Sequence, residues 1–92
     1  MPEFVVEQYV SRVDDTSARR SSERARLAAA EVNGEGTAVR YVRSIFVPED
    51  ETCFYLYEAV SADAVREAVQ RAGLQFERII AAVVEPRPRS GT

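Results

Sequence analysis

The residues of this sequence best equipped for chemistry come in pairs two apart: Glu7 with Tyr9, Tyr41 with Arg43, and Tyr55 with Tyr57. A spacing of two is the side-chain period of a β-strand, so each pair shares one face of a sheet. If the three pairs share the same face, Arg43 can hold a carboxylate or an enolate while Glu7 or a tyrosine moves a proton, which is general acid–base work in a desolvated site. The same residues also suit a purely structural role, because a buried glutamate and a buried arginine need one another whether or not they react. Cys53 lacks the partner that would activate it, since the chain has no histidine, and reads as a small buried hydrophobe.

The elements that must position these pairs can be traced along the chain. Residues 3–10 are rich in β-branched and aromatic types and predict a first strand. A proline-free run of good helix formers follows and stops near Asn33-Gly34, where a left-handed cap is expected. Its small apolar residues Ala18, Ala25, Ala28, Ala29 and Val32 fall on one stripe, whereas Leu27 falls off it and is expected to be exposed or to touch another subunit. Residues 38–47 and 52–59 predict a hairpin turning at 48–51. Ser61 is placed to cap a second helix ending at Gly73, with Val60 and Val65 as a hydrophobic staple. Residues 78–85 predict a last strand. The order is βαββαβ, a ferredoxin-like α+β sandwich: an antiparallel sheet ordered 4-1-3-2 with two helices on one face. Residues 1–86 form this domain, and the Pro- and Arg-containing tail 87–92 is expected to be disordered.

Alternation then assigns the faces. Phe4, Val6, Val42, Ser44, Phe46, Phe54 and Leu56 are expected to meet the helices. Val5, Glu7, Tyr9, Tyr41, Arg43, Ile45, Cys53, Tyr55 and Tyr57 are expected on the helix-free face. The last strand, with Ile79 to Val84 apolar throughout, implies cover on both sides. A 92-residue chain buries too little surface to be very stable alone, and it has no segment left to cover a second face. The expected cover is a second copy, giving a homodimer through the helix-free face that resembles a dimeric α+β barrel.

Composition narrows the function classes. A net charge of −3 argues against a general phosphate-binding surface, so no nucleic-acid partner is expected, although Tyr9, Tyr55 and Tyr57 mimic the aromatic placement of an RNA-recognition motif. The usual glycine-containing signature of that motif is absent and Glu49-Asp50-Glu51 is acidic. Glu58 is read as structural, bonding backbone or reaching Arg66, and the helix-one arginines as a solvated face. No apolar run is long enough for a membrane span and no signal-peptide pattern opens the chain, so a cytoplasmic bacterial protein with no membrane partner is expected. Gly-rich phosphate loops, paired CxxC motifs and a Ser–His dyad are missing, and no cofactor is expected.

The stretch running from Ser44 to Val47 and on through TCFYLYEAVSADAVREAVQRAGL to Ile79 resembles a small bacterial ferredoxin-like family of unknown function that includes actinobacterial nickel-binding proteins. Glu58-Ala59, SADAV at 61–65, RAG at 71–73, Ile79 and, less specifically, PEF near the start carry the likeness. It implies the same fold. Nickel-binding members are expected to have histidines where this chain has Ala68, Val69 and Leu74, and often a cysteine where it has Tyr55; with no histidine, nickel binding is disfavoured and no metal residue is assigned. The preferred function is a homodimeric small-ligand-binding or accessory protein whose cavity between the sheets, lined by Glu7, Tyr9, Tyr41, Arg43, Tyr55 and Tyr57, takes an aromatic or anionic ligand. The alternative is a cofactor-independent isomerase, cyclase or monooxygenase working through Arg43, Glu7 and Tyr55.

Overall fold

A computed structural model describes residues 1–11 and 15–83. Its elements follow the expected order: β1 (Glu3–Tyr9), α1 (Asp15–Gly34), β2 (Val39–Val47), β3 (Thr52–Ala59), α2 (Ala62–Arg71) and β4 (Arg78–Ala82). The four strands form one antiparallel sheet ordered β2-β3-β1-β4, the anticipated order read from the other edge. The proposed tail at 87–92 and the far end of the expected last strand lie outside the described residues.

Both helix stops are glycine-based; α1 ends at Gly34 as expected, but its left-handed residue comes two positions later. Gly36, not Gly34, takes the positive φ of +105°, with Thr37 N–H donating to Val32 O at 3.3 Å and Gly36 N–H to Asn33 O at 3.1 Å. The Asn33 side chain instead ties the end of α1 to the start of β2, its Oδ1 accepting the Val39 amide at 3.3 Å. On α2, Ser61 caps as expected, its Oγ accepting the Ala64 amide at 3.2 Å. Gly73 at φ +74° closes it, with Leu74 N–H donating to Val69 O at 3.3 Å and Gly73 N–H to Gln70 O at 3.0 Å. Val65 is fully buried, whereas Val60 is 57% exposed and leaves the expected staple without its outer half. The β2–β3 connection is a 3-10 turn, Pro48–Asp50, closed by Glu51 in the left-handed conformation.

The core lies between the helices and one face of the sheet. From α1 come Ala18, Ala25, Ala28, Ala29 and Val32, the expected stripe, joined by buried Ser21; from α2 come Ala64, Val65, Ala68, Val69 and then Ala72 and Leu74. These helices contribute little volume, so the sheet must supply it. It does so with Phe4 and Val6 from β1, and with Cys53, Tyr55 and Tyr57 from β3, the last three fully buried. That placement of β3 is the reverse of the expectation. Phe54, Leu56 and Glu58 are the half-buried residues on its other side. On β2 a register shift between Tyr41 and Arg43 changes the alternation: Tyr41 lies opposite Tyr57, packs against the core and faces the helices, while Arg43 lies opposite Leu56 on the helix-free side. Ser44, Phe46, Phe4 and Val6 face the helices as expected, and Val42 sits at the bulge.

Candidate functional site

The helix-free face can be built row by row from the strand register. One row runs Arg40, Glu58, Glu3, Ala82; the next Arg43, Leu56, Val5, Ile80; the next Ile45, Phe54, Glu7, Arg78; and the last Val47, Thr52, Tyr9. Its middle is apolar. Ile45 is 52% exposed and Tyr9 61% exposed, while Val5, Phe54, Leu56 and Ile80 are half-buried. Both helices lie on the opposite side.

Charges frame this strip. Arg78 Nε donates to Glu7 Oε1 at 2.5 Å across β4 and β1, and Arg40 donates to Glu58 Oε1 from Nη2 at 2.7 Å and from Nε at 3.0 Å across β2 and β3. The Glu7 carboxylate beside it raises the Arg78 pKa further above its ordinary value. The expected partners were different: Glu58 engages Arg40 instead of Arg66, because its side chain shares the sheet face with Arg40, and Glu7 pairs with Arg78 of its own chain. Arg43 is exposed and has no ion-pair or hydrogen-bond partner among the described residues. At the end of the face a hollow of about 640 Å³ opens between Glu7, Tyr9, Asp50, Phe54 and Glu77. Sequence reasoning missed Asp50, Phe54 and Glu77, which reach the hollow from a turn, from the reversed face of β3 and from the residue before β4.

The other tyrosines form a separate polar cluster beneath α1. Tyr55 donates its hydroxyl hydrogen to Gln8 Oε1 at 2.5 Å and also bonds Ser21. Ser44 Oγ stands 2.7 Å from the Tyr41 hydroxyl and accepts from Ser22 Oγ at 2.7 Å, so one serine joins sheet and helix. The Tyr41 and Tyr57 rings meet edge to face with centroids 5.9 Å apart. The Tyr57 hydroxyl is buried without a hydrogen-bond partner among the described residues. Burial above all holds the Tyr55 and Tyr57 pKa values well above the ordinary 10, and it raises the Cys53 thiol likewise. These phenols stay protonated at neutral pH.

Of the six expected site residues, then, Glu7, Tyr9 and Arg43 share the helix-free face, whereas Tyr41, Tyr55 and Tyr57 are on the other side of the sheet. The set Arg43, Glu7 and Tyr55 does not converge, because Tyr55 is separated from the first two by the thickness of the sheet. A signal for this was present in α1: the apolar stripe is interrupted at Ser21 and Ser22, where hydroxyls meet the tyrosine cluster.

No group of three or more His, Cys, Asp or Glu side chains among the described residues could hold a metal ion. Ala68, Val69 and Leu74, where histidines are expected in nickel-binding relatives, are buried in the core, as is Tyr55. The donor set does not fit a nickel site. No helix among the described residues is long and apolar enough to cross a membrane.

The strand order and the one-sided helices define a ferredoxin-like α+β protein whose second sheet face carries neither helix. The chain belongs to the SCO4226-like family, described as nickel responsive protein SCO4226-like, whose model matches residues 4–81. The crystal structure of SCO4226 from Streptomyces coelicolor A3(2) shares the fold, with a TM-score of 0.64 and 21% sequence identity over 90% of this chain and 98% of that one. No curated protein matches the chain.

Proposed function

We propose that this protein is a homodimeric binding or accessory protein, two copies packing through their helix-free faces and enclosing a small ligand beside Arg43 and the Glu7–Tyr9 hollow. The observation that carries this reading is the strip of Val5, Ile45, Phe54, Leu56 and Ile80, over which no described helix packs. With Phe54 and Leu56 here in place of Tyr55 and Tyr57, this face is more apolar than expected, and contiguous apolar surface of that kind marks an interaction site. Self-association is the economical cover for a 92-residue chain with a small core. The ligand space, by contrast, is narrower in its chemistry than expected: the aromatic walls are Tyr9 and Phe54, and the polar groups are Arg43 and the carboxylates.

The family description attaches nickel responsiveness to relatives. In this chain the donor chemistry described above does not support nickel as the ligand. Native mass spectrometry of the protein purified from its source tests the reading. A dimer carrying a retained organic molecule is expected; a monomer at micromolar concentration overturns the assembly, and a dimer retaining Ni²⁺ overturns the choice of ligand.

A further inference from the structure

The charges on the helix-free face are specifically unbalanced. Glu7 is matched by Arg78 and Glu58 by Arg40. Arg43 has no ion-pair partner among the described residues, and neither do the side chains of Asp50 and Glu77 at the hollow. Covering the face with any apolar surface would bury the Arg43 guanidinium beside Leu56 and Ile45 with no counter-charge, a costly arrangement. A cover that brings its own carboxylates removes that cost. A second copy brings them in Asp50 and Glu77, and also offers the Tyr9 and Phe54 rings against which a guanidinium can stack.

We propose that, in the sheet-to-sheet dimer on which this inference rests, Arg43 of each copy enters the hollow formed by Tyr9, Asp50, Phe54 and Glu77 of the other. The placement is compatible with two-fold symmetry. Arg43 lies on the edge strand β2, in the row of Leu56 and Val5; the hollow lies between β3 and β1, from the next row onward. Strand spacing and rise put the two about 12 Å apart on the face. A two-fold axis lying between the packed sheets and bisecting that separation passes over the apolar strip, from Phe54 and Leu56 past Val5 toward Ile80. The same rotation that places one Arg43 in the partner hollow therefore places the other as well, with the apolar strip closed on itself between the two contacts. Isologous contacts of this kind occur in symmetric pairs.

Symmetry also supplies a sharp experiment. Arg43→Glu and Glu77→Arg each set like charges against one another twice in their own dimers, so each variant alone is expected to dimerise about 30-fold more weakly or worse. Mixed together, they rebuild both contacts. The Arg43→Glu chain meets the Glu77→Arg hollow, and the unaltered Arg43 of the second chain meets the unaltered hollow of the first. Sedimentation equilibrium of each variant and of the equimolar mixture, with the far-ultraviolet spectrum checked for folding, is expected to show weakened homodimers and a restored mixed dimer. Variants that dimerise as tightly as wild type, or a mixture that fails to associate while wild type does, overturn the pairing and leave the sheet-to-sheet dimer standing. A wild-type monomer overturns the dimer itself.

Discussion

The two faces of one four-stranded sheet differ in what fills them. The helix-facing side carries the large amphipathic residues Tyr41, Tyr55 and Tyr57, two of them fully buried. The helix-free side carries Phe54, Leu56, Val5 and Ile80, which have no polar side-chain atoms to satisfy and no described helix above them. Polarity alone would sort them the other way. Size complementarity decides instead: α1 and α2 present mainly alanine and valine, so a close-packed layer requires bulk from the sheet, and the serines of α1 give the tyrosine hydroxyls partners. The hydrocarbon strip of Val5, Phe54, Leu56 and Ile80, framed by the Arg40–Glu58 and Arg78–Glu7 pairs, is left on the other face.

The largest effects should separate these faces by the state they disrupt. Tyr57→Ala removes a fully buried ring and is expected to lower folding stability by about 3–5 kcal/mol, measured by urea denaturation of variant and wild type at one protein concentration. Leu56→Asp is one position away and points to the other face. It is expected to leave the monomer folded by circular dichroism and to abolish dimerisation in sedimentation. Should Leu56→Asp unfold the chain while Tyr57→Ala does not, the two faces have been assigned backwards.

Alkaline pH probes the helix-facing side through Tyr55 and Tyr57. Burial raises the folded-state pKa of Tyr55 and Tyr57, so above pH 10 the unfolded chain loses phenolic protons that the folded chain keeps. The unfolded state then binds fewer protons, and stability falls as pH rises. With both phenols contributing, the loss between pH 9 and pH 11 comes to about 2.7 kcal/mol. Denaturation curves at pH 9 and pH 11 measure it; a flat response means that these hydroxyls are hydrated in the folded protein.

A subtler contrast lies within the tyrosine layer. Tyr55→Phe removes a hydroxyl that donates to Gln8 and bonds Ser21, and is expected to cost about 1 kcal/mol. Tyr57→Phe removes a buried hydroxyl that has no partner among the described residues, and is expected to stabilise by about 1 kcal/mol. Opposite signs for one chemical change, read from thermal melts, identify which hydroxyl is satisfied. Equal losses from both refute the unpartnered state of Tyr57.

Much of the fold was legible in local chemistry. The alanine stripe of α1, the Ser61 cap, the Gly73 stop and the strand order follow from residues within a few positions of one another. The faces were not legible in the same way. On β3 both alternating sets, Cys53-Tyr55-Tyr57 and Phe54-Leu56, are compatible with burial, so the choice depends on the helix packed above. On β2 a single-residue bulge moves Tyr41 to the side opposite Arg43, and nothing within that strand announces it. Glu7, Tyr9 and Arg43 share one face as expected because they lie where simple alternation holds. Asp50 and Glu77 were invisible as site residues because they stand outside the strands, and only the sheet's closure brings them to one hollow.

Leu27 provides the smallest expected effect and the cleanest control on which face assembles. It is 49% exposed on α1, off the buried stripe of Ala25, Ala28 and Ala29, and the same turns of helix carry the Glu23–Arg26 ion pair at the surface. A single exposed leucine among charged residues does not make an interface. Leu27→Glu is therefore expected to change stability by less than about 0.5 kcal/mol and to leave the dimer dissociation constant unchanged by sedimentation. An isologous dimer built on helix faces would instead bring Leu27 close to its symmetry mate, and the added carboxylates would repel across the axis. Dissociation of Leu27→Glu, with Leu56→Asp still dimeric, would move the interface to the helices and return the apolar sheet strip to a different partner.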